Sequence, residues 1–152
     1  MNSSRESTLE HKQMVVKLMN VLITELLDRA VVHDNAKLES PEVDLFDEYT
    51  PKLAGSTYGS DQYKVFLEGL KPALDHHYAR YRHHPEHFPQ GCRDMNILDV
   101  VEMLVDWKAA TLRHNNGNLL KSLEHNRTRF NLDKISLYDI LLNSLELLEK
   151  KQ

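Results

Sequence analysis

Histidine and aspartate residues able to bind a metal ion recur along this chain at well separated positions. His33 and Asp34 are adjacent, and five of the nine histidines lie between His76 and His87. Imidazole nitrogens and carboxylate oxygens suit divalent ions such as manganese, iron, cobalt, nickel and zinc. A helical bundle can bring such ligands from separate helices to one point in its core. The residue types therefore favour a divalent-metal centre.

The elements that must position these residues are helices. Glycine and proline are scarce, at five each, apolar residues recur at helical spacing, and no segment alternates as a strand would. We predict an all-α chain with one or two short helices, including one over 42–49, and five main helices over about 8–30, 61–82, 96–114, 119–130 and 132–150. The predicted N-caps of the first three helices in chain order are Ser7–Thr8, Ser40 and Ser60. The longest predicted loop, from Thr50 to Ser60, is a candidate lid.

Two histidine positions follow from this helical spacing. His11 continues the apolar stripe of Val15, Leu18 and Leu22, so we expect it to face the interior, where a polar side chain needs a partner. His77 and His84 are seven residues apart and are expected to share the inner face of their helix. Both positions favour metal binding, although a buried histidine bonded to a backbone carbonyl is the simpler alternative for His11.

Bulk composition narrows the classes of function. With 152 residues the chain predicts one domain, and its net charge of −4 makes nucleic acid an unlikely partner. A single cysteine, Cys92, allows no internal disulfide. No segment is apolar enough to span a membrane, and residues 1–10 do not have the pattern of a secretory signal. We therefore expect a cytoplasmic protein with no membrane partner.

The order of His11, the pair His33–Asp34 and Asp106, all on or beside predicted helices, resembles the HD-domain superfamily of metal-dependent phosphohydrolases. The resemblance implies an HD-like helical bundle whose metal core spans about 11–112, followed by a helical pair over about 119–150. It implies that these four residues bind a divalent ion. Lys37 matches a lysine that often follows the doublet in that superfamily. For Asp106, a buried ion pair with Lys108 or Arg113 is the alternative.

Some enzymes of that superfamily hold a second ion on histidines between the doublet and the last aspartate. By this resemblance His77 and His84 are candidate ligands, with His76, His83 and His87 as neighbours able to replace them. Asp34 would then bridge the two ions. The alternatives for the cluster are imidazolium groups that bind phosphate, or a solvated stretch. Catalysis is assigned to Asp34 and Lys37, and phosphate binding to four basic residues: Lys37, Lys52, Arg80 and Lys108.

Longer strings resemble an uncharacterised family of short phage and bacterial proteins over most of the chain. They are His33–Lys37, Glu48–Lys52, His76–Tyr78, His83–His87, Asp94–Asn96 and Asp106–Ala110. That family implies no reaction, so the function predicted here comes from the HD resemblance and the residues. We predict a divalent-metal phosphohydrolase acting on a small phosphorylated substrate, most simply a nucleotide. The alternative is a non-catalytic phage protein that binds a nucleotide or inhibits a host protein. The apolar stripe of the last predicted helix also allows a homodimer.

Overall fold

The computed structural model describes residues 3–57, 59–113 and 117–135. This part of the chain contains no strand and forms five α-helices: α1 (Ser4–Val32), α2 (Glu42–Ala54), α3 (Asp61–Arg80), α4 (Ile97–Thr111) and α5 (Leu119–Arg129). Short 3₁₀ turns occur at Asn35–Leu38, Pro85–His87, Gly91–Asp94 and Leu132–Ile135. The all-α prediction is confirmed. The remainder of the helix predicted over 132–150 lies outside the described residues.

The chain divides into two compact units, Met1–His33 and Asp34–Gln152. The first unit consists of α1, which begins earlier than the predicted Ser7–Thr8 cap. Ser3 caps it instead, because its side chain accepts from the backbone of Glu6 while the Glu6 carboxylate accepts from the Ser3 N–H. No residue of α1 is buried, and His11 is exposed together with its stripe. Helical spacing shows only which residues share a face, so the expected interior position of His11 stays a prediction.

In the second unit, α2 and α3 pack against each other. The N-cap of α2 is Pro41, one residue after the predicted Ser40, and the helix continues beyond the predicted end at Tyr49 to Ala54. Pro51 lies inside it, so the loop before α3 is shorter than predicted and spans 55–60. Ser60 caps α3 as predicted, accepting a hydrogen bond from the backbone N–H of Tyr63.

A buried apolar cluster is formed by α4 and α5 together with the 3₁₀ turns at Gly91–Asp94 and Leu132–Ile135. Its buried residues are Cys92, Val100, Met103, Leu104, Leu119, Leu123 and Leu132. Trp107 packs against this cluster, with its ring stacked on that of Phe130 at a centroid distance of 6.2 Å. The indole therefore packs as part of the core.

The connection between α3 and α4 is held by a buried carboxylate. Asp99 is fully buried and completes a capping box with Asn96 at the start of α4. Both of its oxygens also accept from the Arg82 guanidinium, at 3.0 and 2.8 Å. This bidentate pair fixes the segment that follows α3, which carries several of the clustered histidines. Among the described residues, no helix is both long enough and apolar enough to cross a membrane.

Candidate metal centre

Asp34 has a left-handed backbone, with φ of 57°, immediately before the 3₁₀ turn at Asn35–Leu38. Aspartate tolerates this conformation better than most residues, at a cost of about 1 kcal/mol. The backbone therefore turns sharply at Asp34. The Asp34 Oδ2 atom accepts from Lys37 Nζ at 2.7 Å. Its Oδ1 atom faces the histidine cluster.

His77 lies on the last turn of α3 and is 1% exposed. Its Nδ1 atom is 2.8 Å from Glu42 Oε2, and its Nε2 atom is 3.1 Å from Asp34 Oδ1. The ring also packs beside that of Tyr81, with centroids 4.6 Å apart. The Tyr81 hydroxyl in turn accepts from the backbone N–H of Ala36 at 2.7 Å. Tyr81 thus ties the end of α3 to the turn that carries Asp34.

His83 and His84 also lie beside Asp34 and His77, but they follow the end of α3 and are not on the helix as predicted. The helix expected to continue to Arg82 ends at Arg80, and the backbone is extended at Tyr81 and His84. The chain after the helix brings His84 Nε2 to 2.9 Å from His77 Nε2. The predicted pairing of His77 with His84 is therefore present, but it does not arise from a shared helical face. His83 is 1% exposed, and its Nε2 atom lies 3.6 Å from Asp34 Oδ1.

One ligand atom from each of four residues converges in this unit. The atoms come from Asp34, His77, His83 and His84 and all lie within 4.8 Å of one another. Metal–ligand bonds of about 2.1 Å would put neighbouring ligand atoms about 3.0 Å apart in an octahedron and about 3.4 Å apart in a tetrahedron. The contacts of 2.9, 3.1 and 3.6 Å match that spacing. The four side chains could therefore hold a divalent ion.

The protonation of these imidazoles also suits metal binding. Because a carboxylate only accepts, His77 donates to Glu42 through Nδ1, and its Nε2 atom, 3.1 Å from Asp34 Oδ1, can bind a metal only when it carries no proton. Two imidazole nitrogens at 2.9 Å need a proton or a cation between them, since two lone pairs would repel. Burial, together with the neighbouring His83 and His77, lowers the pKa of His84 to about 3. His84 is thus neutral at ordinary pH, as a ligand must be.

Two carboxylates lie behind the histidines, on the side away from Asp34. Glu42 is fully buried and contacts the Nδ1 atom of His77, while Glu102 Oε1 lies 3.1 Å from His83 Nδ1. Histidine ligands in metal sites commonly donate their second nitrogen to such a carboxylate, which fixes the tautomer. Sequence reasoning missed both residues and named His83 only as a possible replacement. No local pattern identifies a carboxylate that meets histidine on another element.

The other predicted metal- and phosphate-binding residues of the second unit lie on α2, α3 and α4. Asp106 is half-buried on α4, and its negative charge opposes the lowering of the His84 pKa, so it acts on the cluster. Lys108 is half-buried on the same helix, and Arg80 is exposed at the end of α3. Lys52 is exposed on α2, where it pairs with Glu48 at 2.7 Å. Metal or phosphate binding by these residues stays a prediction.

His11 and His33 belong to the first unit. His11 is exposed, and His33 is the half-buried C-cap of α1. Their roles as metal ligands also stay predictions.

Comparison with known proteins gives one assignment. Residues 1–146 match the model of a family of unknown function, DUF5662, so the chain belongs to that family. Neither a curated protein nor a solved structure matches the chain.

Proposed function

We propose that this member of the DUF5662 family is a divalent-metal-dependent phosphohydrolase of the HD type, acting on a small phosphorylated substrate such as a nucleotide. The observation that supports it is the convergence of Asp34, His77, His83 and His84 within 4.8 Å. Three imidazole nitrogens and a carboxylate oxygen suit manganese, iron, cobalt, nickel or zinc better than magnesium or calcium, which prefer all-oxygen ligands. One ion suits this set of four residues, and a second ion stays a prediction.

The charges of the cluster support a cationic occupant. Asp34 and Glu42 contribute carboxylates, His84 is neutral at ordinary pH, and the ammonium of Lys37 is the partner of Asp34 Oδ2. Buried carboxylates are costly unless positive charge offsets them. A divalent ion among the imidazoles would supply that charge.

Lys37 is the residue best positioned to meet a phosphate beside the cluster. Its Nζ atom is 2.7 Å from Asp34 Oδ2, and its side chain is 37% exposed, so other donor positions of the ammonium remain within reach of a ligand. An ammonium held beside the metal-binding carboxylate would stabilise negative charge that develops on phosphate oxygens during hydrolysis. When bound, the ion would supply Lewis-acid stabilisation of those oxygens and a lowered pKa for a bound water.

The first experiment measures metal uptake and phosphate release together. The purified protein is loaded in turn with manganese, cobalt, nickel, zinc or iron(II), and bound metal is measured by elemental analysis. Phosphate release is then followed with a panel of nucleoside mono-, di- and triphosphates, with and without a chelator. Asp34→Asn preserves the size and the left-handed tolerance of the residue but removes its charge, so we expect it to lose metal and activity while keeping its helical content. Asp47→Asn, at an exposed position of α2, is the matched control.

The outcomes separate the alternatives. One to two equivalents of metal per chain, with phosphate release that the chelator stops, would support the proposal. Bound metal without phosphate release from any nucleotide would contradict the hydrolase and favour a protein that binds a nucleotide or inhibits a partner. No metal uptake, or unchanged uptake by Asp34→Asn, would contradict the metal centre itself.

A further inference from the structure

Glu42 is a fully buried carboxylate whose two oxygens face two consecutive histidines. Oε1 lies 2.7 Å from His76 Nδ1, and Oε2 lies 2.8 Å from His77 Nδ1. The residue is 0% exposed, although His76 has a side chain that is 42% exposed. Both imidazoles must therefore donate to the same carboxylate, because its oxygens can only accept.

The position of Glu42 is unfavourable for folding, because a fully buried carboxylate loses its hydration. Glu42 is the first residue of α2, where the helix dipole favours negative charge, but that effect is only partial compensation for complete burial. Asp99 provides a contrast within the same unit, since this other fully buried carboxylate is paired with the Arg82 guanidinium and caps a helix. The partners of Glu42 are instead the imidazoles of His76 and His77, and His77 is one of the four candidate metal ligands.

We propose that Glu42 is a positioning residue that fixes His77 as the Nδ1–H tautomer and so holds its Nε2 lone pair toward the metal. This inference rests on the metal centre of the proposed function, and not on hydrolysis. Without the carboxylate, the proton of a neutral His77 would be free to move to Nε2, where it would block ligation. His76 accounts for the second oxygen of Glu42, so the carboxylate cannot rotate away from His77 without losing a hydrogen bond.

Metal affinity tests the proposal independently of activity. Cobalt(II) alone is titrated into the full-length protein and followed by visible absorption and calorimetry. Glu42→Met keeps an unbranched side chain of similar size but removes both acceptors, and we expect roughly 10- to 100-fold weaker binding. Glu42→Gln restores one acceptor oxygen and should recover part of that loss. Asp47→Asn, at an exposed position of α2, is the control and should bind cobalt within about threefold of the wild type.

A second measurement does not depend on the variants folding. Long-range proton–nitrogen NMR correlations of the wild-type histidine rings report which nitrogen carries the proton. We expect His77 of the zinc-loaded protein to carry its proton on Nδ1, with no proton on Nε2. A zinc-loaded His77 with no proton on Nδ1, or cobalt binding by folded Glu42→Met within about threefold of the wild type, would overturn the proposal. A wild type that binds cobalt but hydrolyses no nucleotide would refute the proposed hydrolase alone, and this role of Glu42 would stand.

Discussion

The low pKa of His84 predicts how the stability of the metal-free protein depends on pH. Burial, with the neighbouring His83 and His77, lowers that pKa to about 3 in the folded chain, whereas an unfolded histidine titrates near 6.5. Between those values the unfolded chain binds a proton that the folded chain does not. The free energy of unfolding must therefore fall as the pH falls from about 6.5 towards 3, and the contribution of His84 is complete above that window.

The predicted loss of stability at pH 5 does not depend on the exact pKa of His84 in the folded chain. The unfolded imidazole is then about 1.5 pH units below its own pKa, while the folded one is still neutral, which corresponds to about 2 kcal/mol at 1.36 kcal/mol per unit. For a chain of this length each kcal/mol shifts the melting temperature by about 2–4 °C. The expected loss between pH 7 and pH 5 is thus about 4–8 °C from this one residue.

The assay is urea unfolding followed by circular dichroism at pH 7, 6 and 5, with a chelator present so that metal linkage does not contribute. Other groups titrate in the same range, so the quantity of interest is the difference between wild type and His84→Gln. The glutamine cannot be protonated and should lose about 2 kcal/mol less than the wild type between pH 7 and pH 5. His125→Gln, at an exposed position of α5, is the control and should follow the wild type. If His84→Gln and wild type show parallel pH dependence, the reasoning from burial is refuted.

Two further predictions concern packing in the second unit. Met103 is 0% exposed in the α4–α5 core, so Met103→Ala should cost about 3 kcal/mol in urea unfolding, whereas Leu120→Ala, at a position 46% exposed, should cost under about 0.5 kcal/mol. A Cβ atom at Gly69 would lie 2.3 Å from the Tyr49 ring, so Gly69→Ala should destabilise the chain by about 1 kcal/mol despite the better helix propensity of alanine. The double variant Gly69→Ala/Tyr49→Leu should recover that loss of stability. If Gly69→Ala alone is more stable than the wild type, α2 and α3 do not pack as closely at Gly69 and Tyr49 as the structure has them.

The sequence determined the class of fold and most of the helices, because their causes are local. Apolar spacing and scarce glycine and proline predict helices, and Ser60 marks the start of α3 through a hydrogen bond only three residues along the chain. The predicted helix boundaries are wrong where two local rules compete. The predicted loop over 50–60 begins too early, because α2 continues through Pro51 to Ala54, and α1 is capped at Ser3 instead of at Ser7–Thr8.

The sequence also identified most of the residue types at the candidate metal centre, including Asp34, Lys37, His77 and His84. It did not determine which of the clustered histidines meet Asp34. His83 and His84 reach the centre because α3 ends at Arg80 and the chain turns back in an extended form, which helical spacing cannot anticipate. Glu42 and Glu102 meet the cluster from other helices, 35 residues before His77 and 19 after His83. Only tertiary packing decides such contacts, because the partners are distant in sequence and each is an ordinary glutamate on its own helix.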